Sequence, residues 1–420
     1  MSRIPKIVLL IESSRASGRA LLNGVADYAH YHGPWSFYWE PGGLESAWPV
    51  LKSLDADGII TRDGDRLDEV LALKIPAVVV GHKRKEVSGV VNVVTDSPHI
   101  GNMGAEHLIQ CGFKHFAFVG TSSRPDESAS WSVVREESFV KRIRKSGFET
   151  HTHHISSASG RNWVRERNEL VTWLKSLPKP VGLMACNDDC GVQVMEACKS
   201  AGLAVPDLVG VIGADNDEIV CGLSNPAMSS VAINFERAGF EAAEALHQLL
   251  RGEKRVTEKI IVHATHIVTR RSTDVVAVTD AALGKALRFI RDNSRKAIGV
   301  IDVAKMAGLS RRALERRFRS EIGISILDQI RKARTGHICK MLVETTLPVG
   351  QIAESLGFED VQHFARYFRS AQNTSPLAYR KSFGKQTRQS GSQNGGSYSQ
   401  TGVADGLAEK IKSGHPDDTN

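Results

Sequence analysis

The 420 residues contain no apolar run long enough to cross a bilayer. The first segment, MSRIPKIVLLIESSR, is apolar only from Ile7 to Ile11. Glu12 and Arg15 break it, so no signal-peptide core is expected there. The six cysteines (Cys111, Cys186, Cys190, Cys198, Cys221, Cys339) form no CxxC and suggest no paired framework. They read as small buried hydrophobes in a reducing compartment, which makes the cytoplasm the expected location. There is no P-loop, no GxGxxG after the first strand, no GxSxG elbow and no HExxH. GTSSR (120–124) could hold an anion but lacks the P-loop lysine. HTHH (151–154) lacks metal-ligand spacing and reads as a solvated loop or edge strand, and Cys186 with Cys190 is no stronger. No enzyme activity, cofactor or metal is expected.

What is present is ordinary globular composition with an uneven charge. Hydrophobic residues make up 41% and charged residues 24%, enough for two or three domains with normal cores. Residues 281–384 carry 19 Lys+Arg against 9 Asp+Glu, whereas the whole chain has 54 against 47. The positive excess therefore lies in one segment on a mildly acidic body, and most of it is arginine. Such a module suits a polyanion.

The first 270 residues alternate strand-like and helix-like runs. KIVLLI (6–11), WSFYWE, DGIIT, PAVVVG, HFAFVG (115–120), VGLMAC and LVGVIG (208–213) read as buried strands. Helical periodicity falls between them, at 18–31, 67–73, 103–110, 133–145, 163–177 and 190–201. This rhythm implies βαβ crossovers and parallel sheets. Its length, with an extended stretch near 90–97, suggests two α/β lobes, and a ligand belongs at the carboxyl ends of the strands. A helix over 235–250 and the runs KIIVHA and HIVTRR close the region. Thr279 or Asp280 can cap a helix over 281–293.

From 281 to 383 the periodic runs are helical. Asp302 is expected to cap VAKMAG, Gly308 to turn, and Ser310 to cap RRALERRFRSEIG. Leu314 and Phe318 then face inward, four apart. A helix-turn-helix results, whose second helix presents arginines. The pattern recurs with GQIAESL, Gly357 and the helix VQHFARYFRSA behind Asp360, with Phe364 and Phe368 inside. A helix over 326–342 joins the units, and Gly336 lies within it.

Here the residues resemble the AraC/XylS family. LxxRxFxxxxG is followed by IAESLGFEDVQHFARYFRSAQNTSPLAYR (352–380), over about a hundred residues. By matching position the resemblance implies base readers at Arg312, Glu315 and Arg316, beside Arg311, in the first unit, and at Gln362, His363 and Arg366 in the second. Arg317, Arg319, Arg369 and Arg380 fit phosphates or local acids.

Upstream, Asn187 ends one strand in CNDD and Asp215 ends the next in GADND, with Asp188 or Asp189 able to cap the helix between them. Arg135 and Glu136 open a helix of the same lobe, and Glu12, Ser13 and Arg15 end the first strand of the other. Planar polar groups of this kind pair with vicinal hydroxyls, and an aromatic ring covers the apolar face of a sugar. Trp131, Trp35, Trp39 or Trp48 could supply the ring. At strand ends Asp and Asn also serve as plain caps and turns.

Residues 181–217, with the ND…G…VP…V.G.D pattern, and RRSTD (270–274) resemble the LacI/GalR and periplasmic sugar-binding fold. The order of the two modules is similar to that of enterobacterial xylose-responsive activators. The resemblance implies an α/β two-lobed periplasmic-binding-protein-like sensor at 1–274, with crossovers near 90–97 and 228–236. A linker would follow at 275–280, then an all-α double helix-turn-helix domain at 281–383; residues 384–420, rich in Gly, Ser and Gln and nearly free of large apolar residues, read by composition as a disordered tail. It implies a sugar effector, with D-xylose the first expectation and another sugar the alternative. It also implies duplex DNA, a homodimer, RNA polymerase if the protein activates, and no membrane. A sugar-binding transport protein is the alternative from another class.

Overall fold

The computed structural model describes residues 3–51, 55–81, 86–122, 131–156, 163–253, 257–274 and 280–384. Most of the expected linker, the expected tail from 385 on, the end of GTSSR and the Trp48 side chain lie outside the described residues.

Two six-stranded sheets carry the first part. Lobe one is built from β1 (Lys6–Leu10), α1 (Ala16–His32), β2 (Ser36–Trp39), α2 (Leu44–Leu51), β3 (Gly58–Arg62), α3 (Leu67–Leu71), β4 (Ala77–Val80) and β5 (Val91–Thr95). Lobe two follows with α4 (Ser97–Gln110), β6 (His115–Ser122), α5 (Trp131–Lys145), β7 (Thr150–Ser156), α6 (Trp163–Ser176), β8 (Val181–Ala185), α7 (Asp188–Ala201), β9 (Val209–Asp215), α8 (Glu218–Leu223) and β10 (Ser229–Ile233). The chain then returns to lobe one for α9 (Phe235–Leu250) and β11 (Lys259–Val262). It passes back once more for β12 (Ala264–Val268) and a 3-10 turn, Arg271–Thr273.

The sheet orders are β11-β5-β4-β3-β1-β2 and β12-β10-β9-β8-β6-β7. Pairings are parallel except β10 with β12. The neighbouring runs KIIVHA and HIVTRR thus belong to different sheets. The strands between the two edges are buried on both faces, as β8 is along its whole length, which is why they read as apolar runs without alternation. Phe113, Phe116, Phe118 and Phe139 fill lobe two. In lobe one α1 and α9 cross at close range. A Cβ at Gly24 would stand 1.9 Å from the Glu236 carbonyl oxygen, and one at Gly239 2.0 Å from that of Leu21. The absence of side chains there locks α9 onto lobe one.

The rest is helical: α10 (Ala281–Asp292), α11 (Val300–Ala307), α12 (Arg311–Glu321), α13 (Ile326–Glu344), α14 (Val349–Ser355), α15 (Val361–Gln372) and α16 (Pro376–Phe383). Two small cores hold it. Leu314 and Phe318 pack with Leu283, Ile290 and Val303; Phe364 and Phe368 pack with Ile338, Ile352 and Tyr379. Gly308 and Gly357 adopt φ of +70°, the left-handed turn that ends a helix without a Cβ clash. Asp280 caps α10, accepting from the amides of Ala282 and Leu283.

Local caps differ from expectation in two places. Asp302 does not start α11. The helix begins three residues earlier, and the Asp302 carboxylate reaches back to the Gly299 amide at 2.8 Å, the reciprocal half of a capping box. Neither Asp188 nor Asp189 caps α7; Asn187 does, through its side-chain oxygen to the Cys190 amide at 3.0 Å.

Gly336 is an exposed interior residue of α13 whose Cβ would meet nothing within 4 Å. Gly336→Ala is therefore expected to stabilise the helical region by about 1 kcal/mol, read as a raised denaturation midpoint.

Candidate functional site

The carboxyl ends of the strands of both lobes face one another across a narrow cavity. Glu12, Arg15 and Arg62 line it from lobe one. Trp131, Arg135, Asn187 and Asp215 line it from lobe two, and Val80, Val93, Phe235 and Val262 add apolar wall. Parallel strands put these residues there because each strand ends where its helix begins.

Arg135 is buried in the first turns of α5, with 2% exposure. Its Nη1 donates to the Cys186 carbonyl at 2.5 Å, and its Nη2 lies 3.5 Å from Asp215 Oδ1. The Trp131 ring stacks under the guanidinium, 4.6 Å from its centroid, within the range of a cation–π contact. Asp215 ends β9 at a φ of +100°, a conformation rare for a residue with a side chain. Burial raises its carboxyl above the usual range, while Arg135 and Arg62 pull the other way. Beside it Asn216 accepts from Arg270 Nη2 at 2.8 Å. Asn187 spends its oxygen on the α7 cap, so its remaining polar group is the Nδ2 amide.

Arg62, at the end of β3, was missed by the motif reading. Its Nη2 donates to Ser17 Oγ at 3.1 Å. Burial draws the guanidinium below the ordinary arginine range, and Glu12 and Asp215 offset this. Among the described residues, neither Arg62 Nε nor Arg135 Nε has a hydrogen-bond partner, although both are buried. A buried donor left without an acceptor is costly, and both residues that carry one here stand at the same cavity. The signal was available: a charged residue closing the apolar strand GIITR sits where a ligand is held.

Contacts between the lobes surround the cavity. Arg15 pairs with Asp189 at 2.8 Å. The Ala16 amide donates to Asp217 Oδ2 at 2.9 Å, and Arg19 stands 3.6 Å from the same oxygen. Beneath them Asp188 accepts from the Asp217 amide at 2.8 Å and from the Ser230 hydroxyl at 2.6 Å. Burial and the Asp215 charge push its carboxyl up to about 8. Asp188 thus braces the loop that closes the cleft.

Other expected residues lie elsewhere. Glu136 accepts from His154 Nε2 at 2.7 Å on β7 and is not among the residues lining the cavity. Ser13 is also outside it, with its carbonyl held by Arg19. Trp39 donates to the Ile11 carbonyl at 3.4 Å and Trp35 packs with Tyr28 and His247, so of the described tryptophan rings only that of Trp131 reaches the cavity. HTHH lies on β7, an edge strand.

At the other end α12 and α15 present their outer faces to solvent. Arg311, Arg312, Arg316 and Arg319 are exposed on α12, and Gln362, His363, Arg366 and Arg369 on α15. Ser310 caps α12 through the Ala313 amide, and Asp360 caps α15 through the His363 amide. Arg311 pairs with half-buried Glu315 at 2.8 Å. Arg317 and Arg380 are structural: Arg317 pairs with Asp280, and Arg380 donates to the Leu342 and Leu347 carbonyls.

Residues 105–273 match the periplasmic binding protein-like domain, and residues 303–382 match a helix-turn-helix domain. The xylose operon regulatory protein of Escherichia coli K12 is 30% identical over 382 residues, covering 89% of this chain and 96% of that protein. The chain belongs to the xylose operon regulatory protein family. The Haemophilus influenzae member is 28% identical over 381 residues, covering 89% of this chain and 98% of that one. A solved xylose-binding transcription activator of the family is 28% identical with a TM-score of 0.57, covering 91% of this chain and all of that one. A LacI-family regulator from Enterococcus faecium solved with ribose, 17% identical at a TM-score of 0.53, shares the sensor fold over 66% of this chain. Like other xylose operon regulatory proteins, this chain is a sugar-responsive, DNA-binding transcription regulator with an AraC-type reader. Among the described residues no helix is long and apolar enough to cross a membrane.

Proposed function

We propose that the protein senses D-xylose in the cleft and controls genes of sugar breakdown through its two helix-turn-helix units. Arg135, Asp215, Asn187 and Arg62 bind the hydroxyls, Trp131 covers one ring face, and Glu12 and Arg15 complete the wall from lobe one. The observation that carries this is the pair of guanidinium groups, Arg135 and Arg62, lining one cavity with the Asp215 carboxylate. A neutral polyol satisfies both kinds of group, since each hydroxyl donates and accepts. The Xylose operon regulatory proteins and the xylose-binding activator named above support the choice of sugar. The sensor spans 1–274, the linker 275–280 and the DNA-binding domain 281–383. The protein works in the cytoplasm as a homodimer and activates by contacting RNA polymerase. Calorimetric titration with D-xylose, L-arabinose, ribose and glucose tests the reading; heat from none of them would overturn it.

On the DNA side Arg311, Arg312, Glu315 and Arg316 read one major-groove segment, and Gln362, His363 and Arg366 read the next. Arg pairs bidentately with guanine and Gln with adenine. Arg316→Ala is expected to cost about 1–3 kcal/mol at one base position and to relax the preference there. Competition binding with each base in turn measures it, and a uniform loss across all sequences would make Arg316 a phosphate contact instead.

A further inference from the structure

Asp215 and its neighbour Asn216 stand in conformations that side chains resist. Their φ angles are +100° and +53°. For Asp215 this lies beyond even the left-handed well, at about +50 to +70°. Two such residues in succession persist only where their surroundings over-determine them. The turn they make leaves the Asp215 carboxylate facing Arg135 across the cleft.

Three side chains grip this turn. Arg270, from the RRSTD run, donates from Nη2 to Asn216 Oδ1 at 2.8 Å and from Nη1 to the Met228 carbonyl at 2.9 Å. The Ser230 hydroxyl accepts from the Asn216 amide at 3.0 Å and donates to Asp188 Oδ1 at 2.6 Å. Asp188 Oδ2 accepts from the Asp217 amide at 2.8 Å. The turn is thus held at the Asn216 side chain, at the Asn216 amide and at the Asp217 amide. None of the three gripping residues is among those that line the cavity.

Their own footing is firm. Ser230 and Asp188 are buried. Asp188 can reach across β9 because residue 213 is glycine: a Cβ there would stand 2.2 Å from Asp188 Oδ1. The Arg270 backbone is tied to the Ser229 hydroxyl in both directions, through its amide at 2.8 Å and its carbonyl at 3.1 Å. Two residues on, the buried Ser272 hydroxyl accepts from the Ser229 amide at 2.8 Å and donates to the Val211 carbonyl at 2.5 Å. The RRSTD run is therefore bolted to the strand that carries Asp215.

We infer that Arg270, Ser230 and Asp188 are positioning residues for the effector: together they impose the positive-φ turn at Asp215 and Asn216 and so hold the Asp215 carboxylate ready in the cleft. The inference rests on the sugar reading above. Without the grip the turn relaxes toward ordinary backbone, and a ligand must restore it on binding. Affinity then falls by the fraction of molecules that keep the competent turn. Because the three residues stand outside the cavity, their effect passes through Asp215.

Two variants of the full chain test this. Arg270→Met keeps the stem and the backbone bonds to Ser229 and removes both donors. Ser230→Ala removes the hydroxyl between Asn216 and Asp188. Each is expected to bind D-xylose about 5- to 150-fold more weakly than wild type in calorimetric titration, a factor equivalent to the strain of one such residue. Repeated in the Asp215→Asn background, the same changes should cost little further affinity, because the group they position is already gone. Equal losses in both backgrounds would show that the network serves the lobe as a whole and would overturn the inference. Unchanged affinity in both variants would overturn it too. A second measurement needs no sugar. In crystal structures of the two sugar-free variants, residue 215 is expected at a negative φ, and retention of the wild-type angle in both overturns the inference. If D-xylose does not bind wild type, the sugar reading fails and this angle alone decides whether the network imposes the turn.

Discussion

Asp215→Asn is expected to lower sugar affinity by about 30- to 1000-fold, or about 2–4 kcal/mol. The carboxylate balances Arg135 at 3.5 Å in a buried setting. Asparagine keeps the shape and tolerates the positive φ of this position better than most residues. What it removes is the charge, and with it the acceptors that bind hydroxyls most strongly. Two guanidinium groups, the buried Arg135 and the half-buried Arg62, are then left facing a neutral amide. Calorimetric titration measures the loss, and a thermal melt close to that of wild type shows that the fold has survived. DNA affinity without sugar should not move, because α12 and α15 do not touch this residue. A variant that binds sugar within a few-fold of wild type would place the ligand elsewhere.

The second large effect is that of salt on DNA binding. The excess of positive charge is confined to 281–384, and Arg312, Arg316, Arg319, Arg366 and Arg369 are exposed beside the recognition faces. Phosphate neutralisation releases counterions, so affinity should fall linearly on logarithmic axes. A protein that makes six to ten phosphate contacts loses about 10³- to 10⁵-fold in affinity between 50 and 200 mM salt, and the measured slope counts the contacts made here. Arg366→Ala or Arg369→Ala should flatten the slope if that side chain meets a phosphate, and leave it unchanged if it reads a base. A nearly flat dependence in the wild type would mean that these arginines do not meet the backbone.

The helical end was legible almost residue by residue. Caps and turns depend on hydrogen bonds within three or four positions, so Ser310, Asp360, Gly308 and Gly357 announce themselves. The inward pairs Leu314 with Phe318 and Phe364 with Phe368 follow from helical spacing alone. Even there Asp302 misled, because a carboxylate at the third helical position and one at the cap look alike in sequence. In the sensor the strand ends were legible, and so Asp215 and Asn187 stood out, as did Arg135 at the opening of a helix. What was not legible depends on which strands become neighbours. Glu136 turns to His154 because β7 pairs with β6 on that side of the sheet. Arg62 enters the cavity only because β3 lies beside β1 and opposite lobe two. The hydrogen bond from Asn234 to the Phe383 carbonyl joins residues 149 positions apart, and no periodicity encodes that.

The third passage of the chain between the sheets, at His263, has a consequence for protein engineering. Neither lobe is one stretch of polypeptide: lobe one needs residues up to 95 together with 235–262, and lobe two needs 97–233 together with 264–274. A single-cut chimera between two relatives would therefore mix strands from different parents within one sheet. Retuning the effector by grafting means exchanging two separate inserts at once. On the ribosome, too, neither lobe can complete its sheet until the final strands, β11 and β12, have emerged.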